Sequence, residues 1–320
     1  MPKPLPDDTW ENLFYPPPDY RYFEDCAQHD FEPDADGFSW VNAWWLADAA
    51  LLAYVKDWEA VEGHLGAAGL DKDFTRIGDD PTKSTKGYFV SRSGQKPFAV
   101  LAFRGTDKDD LRNVISDLDT APESLGRYIV HKGFARALDQ VWDEVTRALD
   151  TFVAAHPGAP IYFTGHSLGA ALATLSVARF TGAKCALYTI GSPRVGDDRF
   201  VRAVLDKTQL VFRFVNCQDI VTLVPPEIAL AHYFRHVGNE MYIDRHGVLH
   251  DHPSELVKAA DVVPGVLDHD GGAVFEEIKK PLDFLTLCFK GSPVNPPPFL
   301  IGNHTPSRYA IRIWNYYTRA

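Results

Sequence analysis

Apolar side chains at Trp40, Trp44, Ala47, Leu51, Tyr54 and Trp58 step by three and four, the spacing that lays one face of a long amphipathic helix on a core. Beyond them the period switches. "KGYFVSRS" and "PFAVLAF" read as neighbouring strands, and "HKGFARALDQVWDEVTRALDTFVAA" as a helix. The strand "IYFT", the helix "AALATLSVARF", the strand "KCALYTI", the helix "DDRFVRAVL" and the strand "LVFRFV" follow. Strands alternating with helices predict an α/β fold with a mostly parallel central sheet, helices on both faces, and ligands bound outside the carboxyl ends of the strands. Residues 1–37 are rich in proline and read as an arm draped over the body, which leaves 38–320 as a single domain. After Pro226 the rhythm is lost. The stretch at about 227–300 is expected to be an excursion over the site rather than a separate domain, with a helix broken by Pro281 inside it.

One change of pattern is abrupt. In "IYFTGHSLGAA" a strand-like run stops at Gly165, exposes Ser167 between two glycines, and restarts as alanine-rich helix. A serine at such a corner takes a strained backbone with its hydroxyl raised above the strand ends, provided the residues two before and two after lack bulk. Gly165 and Gly169 meet that need. The helix that follows turns its unpaired N–H groups and positive dipole end toward any oxyanion formed beside the serine. Ser167 is therefore expected to be a nucleophile.

A serine hydroxyl needs a base, usually histidine, and a buried carboxylate to hold that base in the right tautomer. Asp219 ends the strand "LVFRFVNCQD", next in the series after "KCALYTI", on the edge where Ser167 emerges. Asp197 and Asp198 read instead as helix starts. Seven histidines follow Asp219. His232 and His236 come too soon after it, and His236 leads into a strand-like run, which suits a structural role. His246, His250 and His252 share a polar loop. His269 is flanked by Asp268 and Asp270 and by two glycines that leave its ring poorly held. His304 precedes a helix-like segment in which Tyr309 and Ile313 can pack and fix the loop. The choice falls on His304, with His269 as the alternative.

Composition narrows the partners. The chain has 320 residues, 45% hydrophobic and 23% charged, enough for a large globular core. Its net charge of −11 argues against binding nucleic acid or an anionic membrane through charge. "WVNAWWLADAALLAYV" is interrupted by Asn42 and Asp48 and falls short of a spanning helix, so no transmembrane segment is expected. The opening "MPKPLPDDTWENLF" does not read as a secretory leader, and a cytoplasmic protein is expected on that ground. Four scattered cysteines make no C-x-x-C pair. Asp244, His246, His250, Asp251 and His252 have ligand-like spacing, but a hydrated loop is the reading preferred over a metal site.

"AFRGT", "RNVISDL", "VHKGF", "TGHSLGAALA", "YTIGSPRVG" and "VNCQDIVTLVPP", in this order and spacing, resemble the class 3 lipases, the fungal-lipase-like α/β-hydrolases. The resemblance covers about residues 40–240 and the C-terminus. It implies the α/β-hydrolase fold, Ser167 as nucleophile, Asp219 as acid and a late histidine as base, and the H-x-x-x-x-Y spacing at His304 is similar to the family's. It maps an oxyanion hole onto the backbone N–H groups of Thr106 and Leu168. It also places a lid at "DKDDLRNVISDL", where Leu111, Val114, Ile115 and Leu118 fall on one helical face. The expected activity is hydrolysis of lipid-like or other apolar esters, without cofactor, with transient contact to a lipid surface. Phospholipase A1 and acyltransferase share this machinery, and an acyl-binding protein on a hydrolase shell is the alternative that is not an enzyme. Many fungal members are secreted and disulfide-bonded. This chain shows neither sign, so an extracellular role is not expected from the resemblance.

Overall fold

A computed structural model describes residues 2–6, 15–16, 19–106, 122–182, 184–225, 228–229, 232–251, 253, 258 and 302–319. Its elements in chain order are α1 (Trp40–Leu52), α2 (Trp58–Ala67), β1 (Lys72–Ile77), β2 (Gly87–Arg92), β3 (Phe98–Phe103), β4 (Pro122–Leu125), β5 (Tyr128–His131), α3 (Lys132–Asp139) and α4 (Trp142–Ala155). Then come β6 (Ile161–His166), α5 (Leu168–Arg179), β7 (Cys185–Ile190), α6 (Asp198–Leu205), β8 (Val211–Asn216), a 3-10 turn (Ile220–Leu223), β9 (Ile228–Ala229), β10 (His232–Tyr233), β11 (Asn239–Ile243), β12 (Leu249–Asp251) and α7 (Pro306–Tyr317).

Eight strands form the central sheet in the order β1-β2-β3-β6-β7-β8-β11-β12. The run from β3 through β6, β7 and β8 to β11 is parallel, and antiparallel strands complete both edges. Alternation along each strand feeds two cores. In β3, Ala99, Leu101 and Phe103 point to the side of α3, α4 and α5, while Phe98, Val100 and Ala102 meet α1, α2 and α7 on the other. This is the mostly parallel α/β sheet that the pattern predicts, as the resemblance to the α/β-hydrolases implies.

Three boundaries differ from expectation. The helix foreseen from Trp40 to Trp58 is two helices, because Asp57 caps a new start by accepting the N–H groups of Glu59 and Ala60. Helix α1 is not amphipathic either: every residue from Val41 to Leu52 is buried. Its polar Asn42 and Asp48 receive the N-terminal segment, Asn42 through the main chain of Glu32 and Asp48 through the Phe23 N–H and the Tyr20 hydroxyl. The long helix foreseen over 131–155 breaks at residues 140 and 141, where the Gln140 side chain turns away to bond Ser84.

The stretch after Pro226 is corrected in part. Residues 239–251 do not leave the body: β11 pairs in parallel with β8 and β12 turns back on β11. Asp244 makes that hairpin by accepting the N–H groups of His246 and Val248, with Gly247 at φ 76°. Residues 259–301 lie outside the described residues. The edge strand β1 buries only Ile77, so it lacks the run of buried residues that reveals the central strands.

Candidate active site

Ser167 stands at the corner between β6 and α5 with φ 58° and ψ −125°, a left-handed backbone for a residue that is not glycine. The flanking glycines have a steric cause. A Cβ on Gly165 would lie 2.4 Å from the carbonyl of Gly169, and one on Gly169 would lie 2.2 Å from the carbonyl oxygen of Phe103. The Ser167 N–H donates to the Ile190 carbonyl at 2.9 Å, which ties the corner to β7. Leu168 opens α5, where the first N–H groups have no partner within the helix.

Asp219 sits three residues beyond β8, and its buried carboxylate is fully engaged. Oδ1 accepts the Val221 N–H at 2.9 Å, while Oδ2 accepts the Tyr309 hydroxyl at 2.6 Å and His304 Nδ1 at 2.9 Å. Burial first, and then the Asp219 charge, raise the Tyr309 phenol well above its usual range, so it remains a donor. His304 is itself fully buried. A carboxylate only accepts, so Nδ1 carries a proton and, in the neutral ring, Nε2 is the lone pair, with no hydrogen-bond partner among the described residues. This is the state in which a histidine can take a proton.

The turn after β3 is brought against Ser167. A Cβ on Gly105 would lie 2.2 Å from the Tyr54 hydroxyl, 2.5 Å from the His166 carbonyl oxygen and 3.2 Å from the Ser167 Cβ. Only glycine lets the chain pass so close. Thr106 follows directly, and its buried hydroxyl has no partner among the described residues. Ser167, Leu168, Thr106, Asp219 and His304 thus gather at one edge of the sheet, beyond the carboxyl ends of β3, β6 and β8. The lid residues Leu111, Val114, Ile115 and Leu118 lie outside the described residues, as do His252 and His269. His236 bonds the Thr222 carbonyl at 2.8 Å, and His250 bonds Asp244 at 2.9 Å, both away from Ser167. Among the described residues no group of three or more His, Cys, Asp or Glu could hold a metal ion.

Three participants escaped the sequence. Gly191, at φ 57° just past β7, floors the acid–base pair: a Cβ there would lie 3.0 Å from Asp219 Oδ2 and 3.2 Å from His304 Cε1. Tyr309 was read only as packing. His166 was read only as part of the corner, although its ring touches the loop of His304. A glycine ending an apolar strand in "YTIGSP" was the one available signal for Gly191.

The parallel sheet, with a strained serine at the end of β6 and a histidine held by a carboxylate, has the α/β-hydrolase fold. Residues 100–229 match the family described as Lipase (class 3). The secreted mono- and diacylglycerol lipase 1 of Fusarium solani is 30% identical over 195 residues, 59% of this chain and 57% of that protein. A lipase of Rhizomucor miehei is 35% identical over 165 residues, 48% of this chain and 44% of that one. The chain therefore spans about half the length of these relatives. Lipase II from Rhizopus niveus, a solved structure, superposes with a TM-score of 0.55 at 26% identity, covering 71% of this chain and 90% of that one. The Fusarium relative is named as secreted, which overturns the cytoplasmic expectation. That expectation rested on the first residues of the chain, which are weak ground for a compartment. No helix among the described residues is long and apolar enough to cross a membrane.

Proposed function

We propose that the chain is a serine carboxylic-ester hydrolase of lipase type, acting on lipid-like esters through an acyl-enzyme on Ser167. The observation that carries this reading is His304, held at Nδ1 by the buried Asp219, with no partner for Nε2 among the described residues. Ser167 Oγ attacks the ester carbonyl carbon while His304 Nε2 takes its proton. The oxyanion accepts from the main-chain N–H groups of Leu168 and Thr106, and the unpartnered Thr106 hydroxyl supplies a third donor. Loss of one good donor raises such a barrier by about 2.7 to 4 kcal/mol. The intermediate collapses, the leaving alcohol takes the proton from Nε2, and a water repeats the sequence on the acyl-enzyme.

The substrate class follows the relatives, among them a mono- and diacylglycerol lipase. Water-insoluble glycerides also require transient contact with a lipid surface. The test is a series of p-nitrophenyl esters of rising chain length beside emulsified monoacyl-, diacyl- and triacylglycerol and phospholipid, run on parent and Ser167→Ala proteins. Hydrolysis of the apolar esters is expected in the parent and a loss of at least about 10³-fold in the variant. More than a few per cent of parent activity in clean, folded Ser167→Ala would sink the reading.

A further inference from the structure

The reaction as written leaves one buried histidine idle. His166 ends β6 immediately before Ser167 and is fully buried. Its Nδ1 lies 2.7 Å from the Tyr54 hydroxyl, and its Nε2 contacts the main-chain carbonyl oxygen of His304. A carbonyl only accepts, so Nε2 carries the proton, and Nδ1 is then the lone pair that accepts from Tyr54. Burial, and then the proximity of His304, hold this imidazole well below the usual histidine range, so it stays neutral. The preceding carbonyl of the same loop, that of Asn303, accepts from Asn216 Nδ2 at 3.0 Å. Two consecutive carbonyls are thus held from two strands, one ending at His166 just before Ser167 and the other leading to Asp219.

We propose that His166 is a positioning residue for ester hydrolysis: a fixed neutral donor, oriented by Tyr54, that pins the main chain of His304 beside the nucleophile. Asp219 fixes only the Nδ1 end of the base, and a shifted loop could keep that bond while carrying Nε2 away from Ser167. Misplacement of about 1 Å in such a site costs on the order of 10²-fold in rate. A neutral ring suits the task for a second reason. The two imidazoles have centroids 4.5 Å apart, and a charged His166 would repel the imidazolium that His304 becomes in mid-cycle.

This inference rests on the ester-hydrolase reading, so the experiment separates the two. His166→Phe, His166→Gln and Tyr54→Phe are assayed on soluble p-nitrophenyl butyrate, with active sites counted by exhaustive fluorophosphonate labelling and melting temperatures recorded. In His166→Phe, kcat per labelled site is expected to fall about 10²-fold with KM within threefold. His166→Gln, whose amide can still donate to the His304 carbonyl, is expected to recover most of that loss, and Tyr54→Phe to lose severalfold. Equal losses in His166→Phe and His166→Gln, or unchanged kcat per site in His166→Phe, would overturn the proposal. If His166→Phe does not fold, Tyr54→Phe decides, and a kcat per site equal to the parent's overturns it. Activity surviving in Ser167→Ala would instead remove the hydrolase reading itself.

Discussion

At the scale of single residues, the acid–base pair is held by partners far away in sequence. Tyr309 Oη donates to Asp219 Oδ2 and also accepts the Asn216 N–H at 2.8 Å, so one hydroxyl serves two buried groups. Tyr309→Phe leaves both short of a partner, and about 1 to 3 kcal/mol of stability should be lost, read from urea unfolding. No measurable loss would mean that this hydroxyl does not carry those bonds. Gly191→Ala would press a methyl group against Asp219 and His304 and strain a positive φ, so kcat should fall well before the fold does. Parent-like kcat in that variant would count against the glycine as a floor to the site. Ser167 with Gly165 and Gly169 was legible because the steric demand of the corner is local, written within five residues. Gly191, Tyr309 and the ring of His166 were not, because residues 191, 219, 304 and 309 meet only after the sheet is assembled and no spacing records it.

At the scale of elements, α7 sets the base. Thr305 precedes the helix, Pro306 begins it, and His304 lies just before, so the docking of α7 on α1 fixes where the base loop ends. That docking is aromatic: Trp314 packs on Trp44 with ring centroids 4.7 Å apart, and both are buried. Trp314→Ala should lower stability by about 3 to 5 kcal/mol and reduce activity with it, since the same helix carries Tyr309. A stable, fully active Trp314→Ala would show that the loop is fixed without α7. The parallel strands were legible as compact runs of β-branched and aromatic residues buried on both faces. The hairpin at 239–251 was legible only as the strand-like run after His236, because Asp244, Arg245 and His246 in its turn read as a polar loop while its pairing to β8 is non-local.

At the scale of the whole molecule, the buried His166 and the half-buried His236 couple stability to pH. Burial, as the first cause in each, holds both His166 and His236 well below the usual range. The His304 ring adds to the effect at His166, and Arg213 and Arg194 add to it at His236. Below about pH 6.5 the unfolded chain takes protons that these folded rings refuse, so stability is expected to decline on acidification at up to about 1.4 kcal/mol per pH unit for each. Glu144 and Glu240, lowered mainly by Lys83 and by Arg213 respectively against the effect of burial, extend the loss at lower pH as they are protonated. Unfolding free energies at pH 7.5, 6.0 and 5.0 test this, and a flat profile would contradict the neutral state of His166 that lets Nδ1 accept from Tyr54. The central claim, that Ser167 is a nucleophile activated by His304 and Asp219, has a more direct test. The folded protein is treated with diethyl p-nitrophenyl phosphate, weighed intact and mapped by peptide mass. One diethyl phosphate adduct, confined to the peptide containing Ser167 and formed in step with loss of esterase activity, is the predicted result. An ester-hydrolysing protein that takes no adduct, or takes it on a different residue, would contradict the account.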